Sequence, residues 1–282
     1  LRTIVLGPPG TGKTTTLLNK VDDYLKKTDP DKVGYFAFTQ KAANHARDEA
    51  IKKFNLTEDD LPYFRTLHSL AFRRLGLKKD HVMQQRHYKD LGKKLGFPVT
   101  YADHQEDQGS IFSSDSEYLR IIQLAQLRNI TPEQQFDLNE HTQDLERSTL
   151  RIIANELARY KKEYVLIDFN DMILDFTKSD KSPKFDVVFI DEAQDLSLMQ
   201  WDMTKTIWNK SGDTFIAGDD DQAIFKWAGA DVDSFIALQD QMINLPLIQS
   251  HRIPIKVHQL AMGIINRIKH RIDKTWQPKT NE

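Results

Sequence analysis

The sequence predicts an α/β fold with a parallel sheet flanked by helices and an all-helical segment inserted between the strands. Short apolar runs typical of buried strands alternate with amphipathic helical patterns near both ends of the chain. The run FDVVFI at 185–190 is typical of a central parallel strand. Strand signals are missing from about residue 76 to residue 182, where polar helical patterns follow one another. This alternation indicates a doubly wound sheet with a helical insertion.

The strands are predicted from short apolar runs and the helices from a period of 3.6 residues. The predicted strands are Thr3–Leu6, Val33–Phe38, Tyr63–Leu67, Phe185–Ile190, Thr214–Ala217 and Met242–Leu245. Helices are predicted at 16–25, 40–53, 68–75, 83–95, 116–127, 132–138, 149–160 and 255–272, and Thr39 is the expected cap of the second. The polar stretch 103–116 is predicted to be a loop. Residues 1–76 and 182–246 should therefore form one discontinuous domain, with 77–181 as the insertion.

The first sixteen residues, LRTIVLGPPGTGKTTT, predict a site for a nucleoside triphosphate. A strand, a glycine-rich loop and a helix are the context that the pattern G-x-x-x-x-G-K-[ST] requires. Backbone N–H groups of such a loop and the helix N-terminus attract phosphate oxygens. Lys13 is expected to reach the β- and γ-phosphates, and the Thr14 hydroxyl is expected to bind Mg²⁺. The predicted nucleotide-binding residues are Gly7, Pro8, Pro9, Gly10, Thr11, Gly12, Lys13, Thr14 and Thr15.

Two acidic residues, Asp191 and Glu192, follow the predicted strand Phe185–Ile190. Open α/β sheets bind their ligands at the carboxyl ends of the strands. Asp191 is therefore predicted to hold Mg²⁺, and Glu192 to orient or deprotonate an attacking water. The alternative is a solvated acidic turn, which the glycine-rich loop in the same chain makes a weaker interpretation.

A glutamine and two aromatic residues follow the predicted strand Thr214–Ala217. We expect Gln222 to contact the γ-phosphate or the attacking water. Phe225 and Trp227, with a lysine between them, have the composition expected of residues that stack on bases of single strands. The alternative is that both rings belong to the hydrophobic core, where most aromatic residues lie.

Composition limits the classes of protein to consider. The 282 residues carry a formal net charge of −2, so nucleic-acid binding would depend on local basic and aromatic groups. Cysteine is absent, which excludes disulfides and thiolate metal sites. No apolar run has the roughly 20 residues that cross a bilayer, and no signal peptide is recognised, so we expect no membrane contact and a cytoplasmic location. The first residue is Leu1, inside a strand, and we expect the chain to be a fragment.

Taken together, these segments resemble the N-terminal half of superfamily 1 DNA helicases of the UvrD/Rep/PcrA type. The similar segments follow the family order: GPPGTGKT, AFTQKAA (Ala37–Ala43), TLHSLAF (Thr66–Phe72), DFNDM (Asp168–Met172), DEAQD, GDDDQAIFKWAGA and LIQSHRIP (Leu247–Pro254). The resemblance implies a RecA-like ATP-binding lobe of the P-loop NTPase class. It also implies that residues 247–282 begin a second motor lobe.

The resemblance assigns further roles. It implies ATP as the nucleotide and Arg252 as a contact to the γ-phosphate, so that Lys13, Glu192, Gln222 and Arg252 are the expected catalytic residues. His251 stands where the family has a tyrosine that stacks on adenine. The implied path for single-stranded DNA consists of Phe38, Thr39, Thr66, His68 and Trp227. Taken alone, His68 would more often be structural and Arg252 a surface residue.

The implied function is an ATP-dependent DNA helicase motor that translocates along single-stranded DNA in the 3′→5′ direction. Junctions of single and double strands, a monomeric state and an accessory loading protein are implied as well. A fragment without most of the second lobe is not expected to unwind DNA. Two alternatives stay open: the motor part of a helicase–nuclease of the AddA/RecB kind, and a non-catalytic ATP-dependent DNA-binding scaffold.

Overall fold

The computed structural model describes residues 1–96, 101–102, 113–114, 116–139 and 144–280. The chain divides into two compact units. Unit 1 comprises Leu1–Thr66, Pro183–Leu196 and Lys205–Glu282, and unit 2 comprises Leu67–Ser182 and Ser197–Thr204. The predicted loop at 103–116 lies outside the described residues, apart from 113–114 and Ser116. The three-part division predicted from the sequence, with a separate lobe from residue 247, stays a prediction.

The described residues form eight strands and eleven α-helices. The strands are β1 (Arg2–Leu6), β2 (Val33–Ala37), β3 (Phe64–Thr66), β4 (Tyr101–Ala102), β5 (Ser113–Ser114), β6 (Val187–Asp191), β7 (Asp213–Gly218) and β8 (Ile243–Pro246). The helices are α1 (Lys13–Leu25), α2 (Gln40–Phe54), α3 (Leu67–Leu75), α4 (Gln85–Leu95), α5 (Glu117–Leu127), α6 (Pro132–Leu138), α7 (Arg147–Glu163), α8 (Phe169–Lys178), α9 (Leu198–Trp208), α10 (Val232–Ala237) and α11 (Ile255–Ile265). None of the helices in this described part is long and apolar enough to cross a membrane.

Unit 1 is built on a six-stranded sheet in the order β3-β2-β6-β7-β1-β8, and every pair of neighbouring strands is parallel. Residues that point to opposite faces of a strand are buried alike: in β6, both Phe189 and Ile190 are at most 1% exposed. Burial of both faces explains the continuous apolar runs in the sequence. The predicted α/β fold with a parallel sheet is confirmed.

Local sequence signals explain several helix ends. Thr39 caps α2 as predicted, because its side chain accepts a hydrogen bond from the Ala42 backbone N–H at 3.1 Å. In unit 2, Asp168 and Asp171 form a capping box at the start of α8, and the Lys161 ammonium bridges both carboxylates at 2.8 and 2.7 Å. The DFNDM segment therefore has a clear structural role.

Unit 2 has its own apolar core, formed by α4, α5 and α7 around residues such as Leu119, Leu150 and Ile153. It also contains the short antiparallel pair of β4 and β5, so the insertion is mainly helical but not all-helical as predicted. In unit 1, the helix predicted at 255–272 ends earlier, at Ile265. Residues 271–276 instead form an extended segment, because alternate side chains are buried against unit 1 and tertiary contacts override helix propensity.

Candidate nucleotide site and aromatic surface

The candidate residues of unit 1 lie at or just after the carboxyl ends of its parallel strands. In the sheet register, Leu6 at the end of β1 is opposite Gly218 of β7 and Pro246 of β8. At the other side of the sheet, Ala37 of β2 is opposite Thr66 of β3 and Asp191 of β6. The segments that carry Lys13, Glu192, Gln222 and Arg252 therefore leave the sheet from one edge, where α/β folds bind ligands.

The glycine-rich loop between β1 and α1 is held closed by its own hydrogen bonds. The Lys13 ammonium donates to the Gly7 carbonyl at 2.9 Å, and the Thr11 hydroxyl donates to the Pro8 carbonyl at 2.8 Å. Gly12 precedes α1 with a φ of +85°, a left-handed conformation that favours glycine. Lys13 is buried, so its charge lies inside the loop, beside the free N–H groups of the helix start. Thr15 lies exposed in the first turn of α1.

Thr14 and Asp191 form a pair of oxygen ligands. The Thr14 hydroxyl donates to Asp191 Oδ2 at 2.8 Å, and the Tyr35 hydroxyl donates to the same oxygen at 2.8 Å. Burial, and next the charge of Glu192, raise the pKa of Asp191. The Glu192 backbone N–H donates to the other carboxylate oxygen, Asp191 Oδ1, at 3.0 Å, so all three of these hydrogen-bond donors are uncharged. A hydroxyl and a carboxylate are the hard oxygen ligands that Mg²⁺ prefers, so the pair fits this metal.

Glu192 lies next to Lys13 in an unusual backbone conformation. Its carboxylate Oε2 is 4.0 Å from the Lys13 ammonium. Its φ of +52° and ψ of +44° place it in the left-handed region, which costs a residue with a Cβ about 1–2 kcal/mol. Gln194 holds the side chain in place, because its amide nitrogen donates to Glu192 Oε2 at 3.0 Å. Residues held in such conformations are concentrated at functional sites.

Gln222 is joined to Glu192 through two intermediate residues. The side-chain oxygen Oε1 of Gln194 accepts a hydrogen bond from the Asp219 backbone N–H at 3.1 Å. Asp219 Oδ2 in turn accepts a hydrogen bond from the Gln222 amide nitrogen at 2.6 Å. The turns after β6 and β7 therefore form one hydrogen-bonded chain from Glu192 to Gln222. Buried chains of this kind hold their members in defined orientations.

The residues after β8 pack on the glycine-rich loop. The fully buried Ser250 donates its hydroxyl to the Pro9 carbonyl at 2.8 Å, and the His251 backbone N–H donates to the Gly10 carbonyl at 2.9 Å. A Cβ on Gly10 would lie 2.6 Å from the Cβ of Arg252. His251 and Arg252 thus lie beside the loop, with exposed side chains.

Aromatic side chains after β2 and β7 lie together in unit 1. The rings of Phe38 and Phe225 are 5.9 Å apart, and Trp227 is 61% exposed. The exposure of Trp227 rules out the alternative that this ring belongs to the core. Thr39 also follows β2, and one lone pair of its hydroxyl is used by the cap of α2.

Thr66 and His68 fall in different units. Thr66 is the last residue of β3, and His68 lies in the first turn of α3. Within unit 2, the His68 ring packs edge-on against Phe169, with 5.7 Å between ring centroids. Burial lowers the pKa of His68 to about 4, so the ring is neutral at pH 7 and can contribute hydrogen bonds but no charge.

Sequence reasoning missed three residues of this site: Tyr35, Gln194 and Ser250. Tyr35 lies inside a strand that reads as ordinary core, so its contact with Asp191 had no local signal. Gln194 is part of DEAQD, and its position between two acids was available as a clue. Ser250 lies in LIQSHRIP, directly before His251 and Arg252, and this position next to two predicted site residues was available as a clue.

Comparison with known proteins agrees with the motifs. Residues 2–243 match the model of the UvrD/REP helicase N-terminal domain. The ATP-dependent DNA helicase Rep of Buchnera aphidicola subsp. Acyrthosiphon pisum is 24% identical over 285 residues, which cover 96% of this chain and 44% of that protein. ATP-dependent DNA helicase PcrA of Bacillus subtilis is 23% identical over 99% of this chain and 39% of its own length. PcrA of Staphylococcus aureus is likewise 23% identical, over 99% of this chain and 40% of its own length.

The chain thus spans less than half the length of these curated relatives. The family match extends from β1 to the start of β8 and includes the inserted helical unit. The chain belongs to the UvrD/REP helicase N-terminal domain family.

Proposed function

We propose that this chain is the ATP-binding part of a DNA helicase motor that hydrolyses ATP with Mg²⁺ and translocates along single-stranded DNA. One observation carries the proposal: Lys13, Thr14, Asp191 and Glu192 lie in one contact cluster at the carboxyl edge of the sheet. The family supplies the substrate class, since the relatives named above are ATP-dependent DNA helicases.

Each residue of the cluster has a chemical task in this proposal. Lys13 and the N–H groups of the loop bind the β- and γ-phosphate oxygens. Thr14 and Asp191 hold Mg²⁺, which when bound neutralises phosphate charge. Glu192 accepts a hydrogen bond, and then a proton, from the attacking water.

Two further residues stabilise the negative charge that develops on the phosphate groups during hydrolysis. Gln222, oriented by Asp219, contacts the γ-phosphate or the water. Arg252, beside the glycine-rich loop, adds positive charge when the phosphoryl group leaves. His251, next to Arg252, is the proposed neighbour of the adenine base.

The hydrolytic function is tested with Glu192→Gln in the intact protein. We expect kcat for ATP to fall by about 100-fold or more, with KM little changed, because general-base catalysis contributes about 10²–10⁴ in rate. Glu163→Gln, an exposed glutamate at the end of α7, is the matched control and should behave as wild type. Unchanged turnover in Glu192→Gln would favour the scaffold alternative. EDTA should abolish hydrolysis by the wild-type protein.

Binding of single strands is tested with Trp227→Ala. Loss of a stacking ring should weaken binding of an oligothymidylate by about 1–3 kcal/mol. Trp227→Phe keeps a ring and should recover most of the affinity. Tyr164→Ala removes an exposed ring from α7's C-terminal end in unit 2 and serves as the negative control. Equal affinities of Trp227→Ala and wild type would remove Trp227 from the proposed DNA-contacting residues. The others in this proposal are Phe38, Thr39 and Thr66 of unit 1 and His68 of unit 2.

The direction of movement and the assembly are parts of the same proposal. We expect the intact protein to act as a monomer, aided by a loading partner, and to unwind duplexes that carry a 3′ single-stranded tail. Duplexes with a 5′ tail should remain paired. Preferential unwinding of 5′-tailed duplexes would overturn the proposed polarity but leave the ATP site unaffected.

A further inference from the structure

The extended segment after α11 reaches back to the turn that follows β7. Ile272, Lys274 and Trp276 are buried, whereas Asp273 and Thr275 between them are exposed. The Ile272 backbone N–H donates to Asp220 Oδ2 at 2.8 Å. The Trp276 ring packs edge-on against His258 of α11, with 4.3 Å between ring centroids. Two apolar anchors therefore hold Lys274 in a fixed position between them.

Lys274 places its ammonium among three consecutive carboxylates. Its nitrogen is 2.6 Å from Asp219 Oδ1 and 3.1 Å from Asp221 Oδ2, and it also contacts Asp220. The Lys274 side chain is only 4% exposed. Arg271 adds two hydrogen bonds to Asp221, at 2.8 and 2.7 Å. The three carboxylates have the spacing of a metal site, and the lysine supplies the cation in place of a metal.

Asp219 connects this cluster to the candidate nucleotide site. Its Oδ1 faces Lys274, and its Oδ2 accepts the hydrogen bond from Gln222. One carboxylate is thus held between the lysine and the glutamine. Without the lysine, repulsion from Asp220 and Asp221 would favour rotation of Asp219 away from them. The Gln222 amide would then lose the acceptor that orients it.

We propose that Lys274 is a positioning residue for nucleotide hydrolysis, which acts through Asp219 to hold Gln222 in its active orientation. This inference rests on the proposed function, because it assigns a role to Gln222 in hydrolysis. It places a determinant of turnover about fifty residues beyond the turn it controls, on a segment outside the glycine-rich loop and outside both acidic turns.

The first test uses Lys274→Met in the intact protein with saturating single-stranded DNA. We expect kcat for ATP to fall by about tenfold or more while KM and the affinity for a fluorescent ATP analogue change less than about threefold. Lys269→Met removes an exposed lysine five residues earlier and is the matched control. Wild-type kcat in a folded Lys274→Met variant would overturn the inference.

A double-mutant cycle separates positioning from general destabilisation. If Lys274 acts through Gln222, Lys274→Met should reduce kcat much less in a Gln222→Ala background than in the wild type. Independent, multiplicative losses in the double variant would mean that Lys274 has a structural role only. Lys274→Arg keeps the charge and should recover part of kcat.

A third comparison remains available if Lys274→Met does not fold. Asp219→Asn and Asp220→Asn each remove one negative charge next to Lys274, but only Asp219 contacts Gln222. We expect kcat to fall at least about tenfold in Asp219→Asn and to stay within about threefold of wild type in Asp220→Asn. Equal values for the two variants would overturn the inference. Failure of the proposed function is recognised separately, because the wild-type protein would then not hydrolyse ATP.

Discussion

The turns after β6 and β7 both begin with acidic residues at the carboxyl edge of the sheet, but their partners differ. In the β6 turn, neutral hydroxyls hydrogen-bond Asp191, and burial raises its pKa. In the β7 turn, burial acts to raise the pKa of Asp221, but Arg271 and Lys274 hold it below its usual value. In the proposed function the β6 turn binds an external cation, whereas the carboxylates of the β7 turn are already paired with Arg271 and Lys274. Two neighbouring acidic turns of similar sequence thus differ in whether their charges are compensated by residues of the chain itself.

The largest expected effect is on hydrolysis, and it compares Asp191→Asn with Asp221→Asn. Loss of the proposed metal ligand Asp191 would remove several kcal/mol of charge stabilisation, so kcat/KM for Mg·ATP should fall by about 100-fold or more. The kcat/KM of Asp221→Asn should stay within about threefold of wild type, because Asp221 contacts Arg271 and Lys274 and is not one of the proposed metal ligands. Steady-state kinetics over a range of Mg²⁺ concentrations checks this. Similar losses of kcat/KM in both variants would mean that the β6 and β7 turns do not differ in their role in hydrolysis.

A second expected difference is in the dependence of stability on pH, in metal-free buffer. Burial, and next the charge of Glu192, raise the pKa of Asp195 in the β6 turn to about 7, well above the ordinary value of 3.8 for an aspartate. The folded state therefore keeps a proton that the unfolded state has lost, and this stabilisation disappears as the pH rises through 7. Asp195→Asn should increase the free energy of unfolding by about 2 kcal/mol at pH 8, after allowance for solvent screening, and change it little at pH values below 3.8.

Asp221→Asn is the opposite case in the same experiment. Because the pKa of Asp221 is lowered, its contribution is present above pH 3.8 and is lost as the pH falls further. This variant should therefore be less stable than wild type at neutral pH. Urea unfolding at several pH values measures the stability of both variants. If the free energy of unfolding had the same pH dependence in both, the opposite pKa shifts of Asp195 and Asp221 would be contradicted.

The smallest expected effect concerns Tyr35. Tyr35→Phe removes one of the hydroxyl donors to Asp191 and should lower the free energy of unfolding by about 1 kcal/mol. Hydrolysis should change less than about threefold, because Thr14 still donates to the carboxylate and the proposed Mg²⁺ ligands are unchanged. Tyr63→Phe is the control, since the Tyr63 ring packs edge-on against Phe185, with 4.9 Å between centroids. A loss of hydrolysis as large as that of Asp191→Asn would make Tyr35 part of the reaction.

The parts of the fold and site that could be predicted are those whose signals are local. The glycine-rich loop combines strand, turn and helix start in sixteen residues, and its chemistry requires those residue types at that spacing. All six strands of the parallel sheet were predictable from short apolar runs, which are continuous in central strands such as β6 because both faces of these strands are buried. The cap at Thr39 followed from the preference of helix starts for hydroxyl side chains.

The parts that could not be predicted depend on contacts between distant residues. The apolar spacing from Ile255 to Ile272 predicted one helix, but the chain leaves the helix at Ile265. The alternation of Ile272, Lys274 and Trp276 has a period of two, and three positions are too few to outweigh a longer helical pattern. Nothing near Lys274 in the sequence indicated that its partners lie more than fifty residues earlier.

The segment after β8 approaches the glycine-rich loop so closely that residue 10 has no space for a side chain. Gly10 has a φ of +73°, and a methyl group there would collide with Arg252 and with Ser250 Oγ, at 2.6 and 2.9 Å. Such a methyl group would displace Arg252 from the glycine-rich loop, where the phosphate is expected. The absence of a side chain at residue 10 therefore allows the segment after β8 to lie directly against the glycine-rich loop.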